Sequence, residues 1–562
     1  MLISNVNDLP EKHRQRLERS WARAFYQEFF CRIKEEAFSV MYADIPSRPN
    51  VAVNVLVGLE VLKAGFGWSD EELYDHFTFD IQMRYALGYQ NLGEGDFDLR
   101  TLYNFRQRLS HYNLEHGVNL LEQAFEDIVD QQIVAFKVRT DKQRMDSTQI
   151  ASNILDSSRL QLAVEAIQRV QRMLTEEEQA QYTELLTGYD RETARQKVYR
   201  IKGKEAIRQH LEAVGRVMYQ LMEELRRTYE SHPFFPVLER FFNENYRVEE
   251  GEVRPRDDKE LSSGSLQSLD DLEATYRRKG NRFYKGYVAN LSETCHSEND
   301  LQLITKVQVA PNNAEDADLL VDALPGLKER TNLDALYGDG GFGSSEADDA
   351  LAQHEVELYQ TGIRGAEPHP DKLNLADLDF EYDEKCIPVR VSCPQGQTVP
   401  IEPGTSTDYI AYFDGQTCRS CPWHQDKRCR ARFLKRNRAL FNWAFSREEF
   451  LWALRRKRYL QLKQQPGNPR SAVEATVRSV KHPFSRGKLP VRGLFRVNCM
   501  VLASAAMTNI RRIQRHLNSN MDNLEAQHVS ACAQYRTFML TLASAFRLSR
   551  RFWLFSMPCF SF

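Results

Sequence analysis

Apolar residues recur at helical spacing through the first part of the chain. Between about residues 40 and 125 they repeat every three or four positions, as Val53, Leu56 and Leu59 do, which predicts amphipathic helices. Residues 69–72 (Ser-Asp-Glu-Glu) form a capping box that should begin a second helix, and Asp98 should cap a third, basic helix over residues 99–109. We therefore predict a helical N-terminal domain over residues 1–130. It resembles a helix-turn-helix DNA-binding module, and a purely structural helical domain is the alternative.

The pattern then changes to short runs rich in β-branched residues. Segments 133–139 and 144–150 are predicted as the first core strands, within a region 131–154. Strands and helices follow one another again over residues 276–362, which predicts a mixed α/β sheet. Asp146 occupies a position where a central strand would otherwise carry an apolar residue. Asp339 lies where a strand runs into three glycines, which is the ligand-binding end of an open sheet or an ordinary turn.

Two long insertions separate these core segments. Residues 155–275 are charged with helical apolar spacing, and their end, about 248–268, has the composition of an acidic linker. Residues 363–466 begin with short strands and end strongly basic, with fourteen lysines and arginines against three acids between residues 426 and 470. Cations that bind phosphates, interleaved with aromatic rings that stack on bases, predict nucleic-acid contact. The candidates are Arg455, Arg456, Lys457, Arg458 and Trp443, and the alternative is a helix that buries its aromatic residues and solvates its cations.

The same insertion contains a group of cysteines. Cys393 is followed by the CxxC pair Cys418 and Cys421, and then by Cys429. Four thiolates can surround Zn²⁺ tetrahedrally, so a structural zinc is one interpretation, and unligated cysteines in a small β insert are the other. His424 could replace one ligand.

A charged helix is predicted after this insertion, within a segment 467–515. Asn468 is a suitable N-cap and Pro469 a suitable first helical residue. At 3.6 residues per turn, Arg470, Glu474 and Lys481 share one face, with Arg478 beside them. This face suits a metal and a phosphodiester together, or it is a solvated amphipathic surface. An apolar stretch follows, and residues 516–562 form a basic, aromatic-rich tail.

Composition adds few constraints. The 562 residues carry a net charge of −3, so any nucleic-acid-binding surface must be local. We find no signal-peptide core and no apolar run of membrane-spanning length, which predicts a cytoplasmic protein with no membrane partner.

Three acidic residues thus stand in order: Asp146 on a strand, Asp339 at a strand end and Glu474 on a later helix. This arrangement resembles the DDE transposases of bacterial insertion sequences, whose catalytic core is RNase H-like. Asp-Ser-Thr at 146–148 and Tyr-Gly-Asp-Gly-Gly at 337–341 are similar to the first two family motifs, and Arg470, Glu474 and Lys481 match the third, R-x3-E-x6-K. The fuller signature has a tyrosine three residues before the arginine, where this chain has Gly467. The cysteine-bearing insertion also resembles one insertion-sequence subgroup.

The resemblance implies a metal-dependent enzyme. It would cleave DNA at transposon ends and transfer the strand into target DNA, with two Mg²⁺ (or Mn²⁺) ions held by Asp146, Asp339 and Glu474. Arg470, Lys481 and Arg478 would bind the DNA. If Asp146 or Asp339 is not a metal ligand, the nearby Asp141 and Asp334 are the alternative candidates. The expected partners are the terminal inverted repeats, target DNA and a second copy of the chain. The alternatives are a catalytically decayed DNA-binding regulator and an RNase H-like nuclease without strand transfer.

Overall fold

The computed structural model describes residues 5–42, 51–196, 198–364, 367–383, 385–404, 407–434, 439–464, 467, 470 and 472–554. The predicted cap formed by Asn468 and Pro469 lies outside these residues. The fold is mixed α/β, as the sequence predicts. Within the described part of the chain, no helix combines the length and the apolar composition needed to cross a membrane.

The N-terminal region is helical, as predicted. Its helices are α1 (Glu11–Glu18), α2 (Trp21–Glu28), α3 (Val53–Phe66), α4 (Asp70–Phe79), α5 (Ile81–Ala86), α6 (Leu99–His116) and α7 (Leu120–Phe136). Ser69 and Glu72 form the expected capping box at α4, and Asp98 caps α6. The predicted strand at 133–139 is wrong, because residues 133–136 are the last turn of α7. Its branched residues lie on a helix that ends at Lys137, which has a left-handed backbone.

A single strand precedes the first insertion, which is helical with a hairpin at its end. This strand is β1 (Lys142–Ile150). The insertion contains α8 (Arg159–Met173), α9 (Glu176–Gln181), α10 (Thr183–Leu186), α11 (Arg191–Gln196), α12 (Lys204–Tyr229), α13 (Phe235–Asn245), β2 (Tyr246–Glu249) and β3 (Glu252–Pro255). The predicted acidic linker is therefore wrong at its start. Glu250 and Gly251 both have positive φ and close a tight β2–β3 hairpin, and Leu266 and Leu269 beyond it are buried.

The central sheet is built from β1 and the elements after the insertion. These are β4 (Thr275–Lys279), β5 (Arg282–Thr294), β6 (Ile304–Pro311), α14 (Asp316–Arg330), β7 (Ala335–Gly338), α15 (Ser345–Gln353) and β8 (Glu357–Gln360). β1 is antiparallel to β5 and parallel to β7, which is parallel to β8, and β5 pairs with both β4 and β6. The order β6-β5-β1-β7-β8 with these orientations is that of an RNase H-like sheet.

The second insertion forms its own sheet, closed by a basic helix. Its elements are β9 (Asp379–Tyr382), β10 (Pro388–Ser392), β11 (Thr398–Pro403), β12 (Tyr409–Asp414), α16 (Gly415–Ser420), α17 (Pro422–Gln425), β13 (Arg432–Phe433), β14 (Leu440–Phe445) and α18 (Arg447–Gln464). The strands pair in the order β13-β14-β12-β11-β10-β9. Phe413, Trp443, Phe445 and Phe450 belong to the apolar core of this unit.

In the described part of the chain, two α-helices follow the second insertion. They are α19 (Val473–Lys481) and α20 (Leu494–Leu554), so α20 continues through much of the predicted tail. The N-terminal helices, α20 and one face of the central sheet share an apolar core, while α14 and α15 cover the other face. A Cβ on Gly67, which ends α3 with φ of 75°, would collide with the carbonyl oxygen of Pro483. The N-terminal helices therefore pack tightly against the segment after α19.

Candidate active site

Asp146 and Asp339 are brought level with each other on neighbouring parallel strands. The pairing of Lys142 with Ala335 and of Arg144 with Tyr337 sets the register, and continuing it by two residues puts Asp339 opposite Asp146. Neighbouring strands lie about 4.8 Å apart, and level residues of parallel strands point to the same face. Met145 packs on the α14 side of the sheet, so Asp146 faces the opposite side, towards α19.

Burial and charge act on Asp146 in opposite directions. The residue is only 8% exposed, and burial raises the pKa of its carboxyl above the ordinary value. The Arg470 guanidinium lowers that pKa by its charge and by a hydrogen bond from Nη2 to Oδ1 of 3.0 Å, whereas the charge of Asp339 raises it. Asp146 is therefore a desolvated carboxylate with a cation on one side and a second carboxylate on the other.

Asp339 is fixed by the turn that follows β7. Its carboxylate accepts a hydrogen bond of 2.7 Å from the backbone N–H of Gly341. A Cβ on Gly341 would lie 2.5 Å from the Asp316 carboxylate and 2.8 Å from that of Asp339. Asp316 is buried and accepts a hydrogen bond from the Ser147 hydroxyl. The glycine thus allows two acidic side chains to approach each other beside the strand that carries Asp146.

Glu474 does not join this pair. It lies in the first turn of α19 with an exposed side chain, and no ion pair or hydrogen bond to it is found in the described ranges. Among the described residues, no group of three or more His, Cys, Asp or Glu is arranged to hold a metal ion. The structure thus brings together two of the three predicted carboxylates, and the role of Glu474 remains a prediction.

The predicted substitutes Asp141 and Asp334 lie at the other end of the strands. Asp141 directly precedes β1, and its backbone oxygen accepts hydrogen bonds from the backbone N–H groups of Asp334 and Ala335. Neither residue is level with Asp146.

The cations of the third motif lie along β1. Lys481 donates hydrogen bonds to the Thr148 hydroxyl (3.2 Å) and to the Gln149 carbonyl oxygen (2.8 Å), and burial lowers its pKa. Arg478 is exposed on α19. The predicted helix start is wrong, because α19 begins at Val473 and Arg470 lies in the turn before it. Gly467 has φ of 88°, a left-handed conformation that favours glycine over the tyrosine of the family signature.

The basic helix α18 is largely engaged with the protein itself. Arg455 pairs with the buried Asp348, Arg458 pairs with Glu357, and Lys457 pairs with Asp379. The Arg456 guanidinium lies 5.7 Å from the centre of the Trp452 ring. Trp443 is 3% exposed in the core of the second sheet. This placement favours the structural alternative for Arg455 and Trp443.

The four cysteines of the insertion do converge. Cys393, Cys418, Cys421 and Cys429 line one small cavity of about 30 Å³ together with His424. Burial raises the pKa of the Cys418 and Cys429 thiols, and the neighbouring thiols add to the effect. The arrangement does not meet the geometry of a closed metal site.

A buried ionic network behind the aspartates is absent from the sequence prediction. Glu293 on β5 is fully buried, accepts a hydrogen bond from Arg144 on β1 (2.6 Å) and pairs with Arg512 on α20 (2.7 Å). It also accepts a hydrogen bond from the hydroxyl of Thr476, two residues after Glu474. This carboxylate therefore attaches α19 and α20 to the sheet. Its only sequence signal is an acid within an apolar strand.

Comparison with known proteins gives one family match. Residues 392–514 match the model of the transposase DDE domain, a range that contains the cysteines, Arg470, Glu474, Lys481 and the start of α20. No curated protein and no solved structure matches the chain. This match, together with the two level aspartates on the central strands before it, supports a DDE transposase.

Proposed function

We propose that the protein cleaves DNA at the ends of a transposable element and joins the freed 3′ end to target DNA. The observation that supports this most directly is the pair Asp146 and Asp339, level on parallel strands, with Arg470 hydrogen-bonded to Asp146. Two carboxylates at this spacing can hold a divalent cation, and such a cation stabilises the charge on the attacking and leaving oxygens of a phosphodiester. The family match beyond the pair supports transposition in particular.

The two aspartates suit a divalent cation such as Mg²⁺ or Mn²⁺. Mg²⁺ prefers carboxylate oxygens and retains several waters, so a few carboxylates are sufficient. Asp146 is desolvated, and a cationic group from Arg470 already lies against it. Asp146 and Asp339 would hold the metal, and we propose Glu474, in the first turn of α19, as the third ligand. When bound, the metal would act as a Lewis acid for water or 3′-hydroxyl attack on phosphorus.

The remaining roles fall to side chains of the chain itself. We propose that Arg470, which pairs with Asp146, binds a phosphate beside the cut. Lys481 and Arg478 are proposed to contact the backbone further along the same strand. DNA cleavage at two ends requires two sites, so we propose a dimer on paired ends.

The converging cysteines lead us to propose a structural zinc in the second insertion. A shift of the thiol side chains within the small cavity would be needed to bring four sulfurs to about 2.3 Å from one ion. Such a zinc would hold α16 and α17 against the second sheet and take no part in the reaction.

A strand-transfer assay tests the function. The protein is mixed with Mg²⁺, a labelled duplex of the DNA that immediately flanks this reading frame, and a supercoiled target plasmid. A transposase yields cut duplex and plasmid joined to the label. Cutting without joining would indicate a nuclease, and binding without cutting would indicate a regulator, and either outcome would refute the proposal.

A further inference from the structure

A row of lysine and arginine side chains extends from the two aspartates along the C-terminal half of β1 and the segment that follows it. Arg470 contacts Asp146, and Lys481 contacts Thr148 and Gln149. Beyond the strand, Arg492 donates a hydrogen bond of 2.7 Å to the carbonyl oxygen of Asn153, and Lys488 donates one of 2.8 Å to that of Ile154. The contacts follow the chain in steps, because the backbone of residues 488–492 runs beside that of residues 151–154.

The row ends at a cavity that the proposed reaction does not use. This cavity, of about 780 Å³, lies between α3, α6 and the start of α20, and its lining includes Asn153, Arg492 and Arg496. Such a volume is within the range of sites that enclose a ligand of nucleotide size. Asn153 is seven residues from Asp146, so an extended chain places the two at most about 25 Å apart.

Among the described residues, most charged side chains that line the cavity are paired with other side chains of the protein, and Arg496 is not. The acids of the cavity, Glu60 and Asp70, are both engaged by Arg106, and Asp70 also by Lys63. Arg492 pairs with Asp270. Arg496 is exposed, and its side chain has no ion pair or hydrogen bond within the described part of the chain. The acids are thus neutralised internally, and an uncompensated guanidinium faces the space.

The basic helix α6 lines the same cavity as Arg496. Tyr103 and Gln107 line the cavity and are exposed, with Arg100 and Asn104 exposed on the same helix at neighbouring helical positions. Arginine and amide side chains on one helix face are the groups that contact phosphates and base edges. A second cavity of about 490 Å³ lies on the other side of Phe495 and Arg496. Arg496 therefore stands between two spaces, both of them bordered by α6.

We propose that the cavity between α6 and α20 is a DNA-contact site, in which Arg496 binds a backbone phosphate of the DNA that extends from the aspartates along the cation row. The inference rests on the proposed function. It adds the part of the protein that contacts the DNA and the distance of the contacted phosphate from the cut. DNA advances about 3.4 Å per nucleotide, and Arg496 lies four residues beyond the Arg492 that contacts Asn153, so the contacted phosphate lies on the order of ten nucleotides from the cut. α6 reads the DNA at the same place.

The test uses the full-length protein carrying Asp146→Asn, so that the DNA stays intact. Binding is measured with a fluorescent duplex of the DNA that immediately flanks this reading frame, and with an unrelated duplex of equal length, over a range of salt concentrations. Arg496→Ala should weaken binding to both duplexes roughly tenfold and lower the slope of log affinity against log salt by about one. Arg496→Lys should restore most of the slope.

The matched control is Arg208→Ala, an exposed arginine of α12 with no side-chain partner in the described part of the chain. It should change neither affinity nor slope. A second readout replaces single phosphates by neutral methylphosphonates. One substitution on the order of ten nucleotides from the cut should weaken DNA binding by the parent and leave binding by Arg496→Ala unaffected.

The outcomes separate this inference from the proposed function. If the parent binds DNA and Arg496→Ala retains its affinity, salt slope and methylphosphonate profile, the site is refuted while the function stands. If the parent binds neither duplex, both fail.

Discussion

Arg470 donates a hydrogen bond of 3.0 Å to Asp146 across 324 residues of sequence. The contact joins the turn before α19 to the middle of β1. The segment that resembles the third family motif therefore lies beside the segment that resembles the first. The contact also gives the buried carboxylate a counter-charge in the absence of metal and DNA. Because Glu474 follows Arg470 by only four residues, this contact also keeps the first turn of α19 close to Asp146.

We predict that Glu474→Gln separates activity from stability. The side chain is exposed and unpaired in the described ranges, so the free energy of unfolding should change by less than about 0.5 kcal/mol. DNA cleavage should be lost, because a neutral amide is a poor ligand for Mg²⁺. The matched control is Glu448→Gln, an exposed first-turn glutamate of α18, which should cleave normally. Normal cleavage by Glu474→Gln would remove Glu474 from the site.

Glu293→Gln should be strongly destabilising. Removal of this fully buried charge leaves Arg144 and Arg512 without their carboxylate, which should lower the free energy of unfolding by about 3–5 kcal/mol. Denaturant unfolding measures it. The control Glu298→Gln, which removes a largely exposed partner of Arg139, should cost less than about 1 kcal/mol. Equal effects of the two substitutions would contradict the anchoring role of Glu293.

Asp348 should make stability depend on pH. Burial raises its pKa to about 6, against the lowering effect of Arg455. A carboxyl with a raised folded pKa contributes stability that is complete below its ordinary pKa and is lost as pH rises towards 6. Between about pH 4 and 7 the wild type should therefore lose up to about 3 kcal/mol relative to Asp348→Asn. Denaturant unfolding curves of both proteins at several pH values test this. A stability difference between them that does not change with pH would show that the pKa of the Asp348 carboxyl is not raised.

The proposed shift of the four thiols towards one another predicts a bound zinc. The purified protein should contain about one zinc per chain by elemental analysis, and Cys418→Ser with Cys421→Ser should lose it. Cys31→Ser, which removes an exposed cysteine outside the cavity, should retain it. Absence of zinc from the wild type, with all four thiols open to alkylation, would rule the site out.

The sequence revealed what depends on local pattern. Asp146 stood out because an acid interrupts a strand, and Asp339 because a strand ends in glycines, so their convergence followed from the order of strands. The end of α7 is predicted wrongly as a strand because branched residues in a last helical turn resemble one. Arg455 and Arg458 pair with Asp348 and Glu357 about a hundred residues away. Glu293 meets Arg144 through a strand register. Such pairs exist only once the fold exists, and local pattern does not encode them.

The central claim, that Asp146 and Asp339 form one metal-dependent site, is tested most directly by cleavage of the end duplex in Mg²⁺. Wild type, Asp146→Asn, Asp339→Asn and the exposed control Asp334→Asn are compared at equal DNA binding. The two site variants should lose cleavage by at least about a thousandfold, with Asp334→Asn unaffected. Retained cleavage in either site variant, or full activity of the wild type in a chelator, would contradict the account.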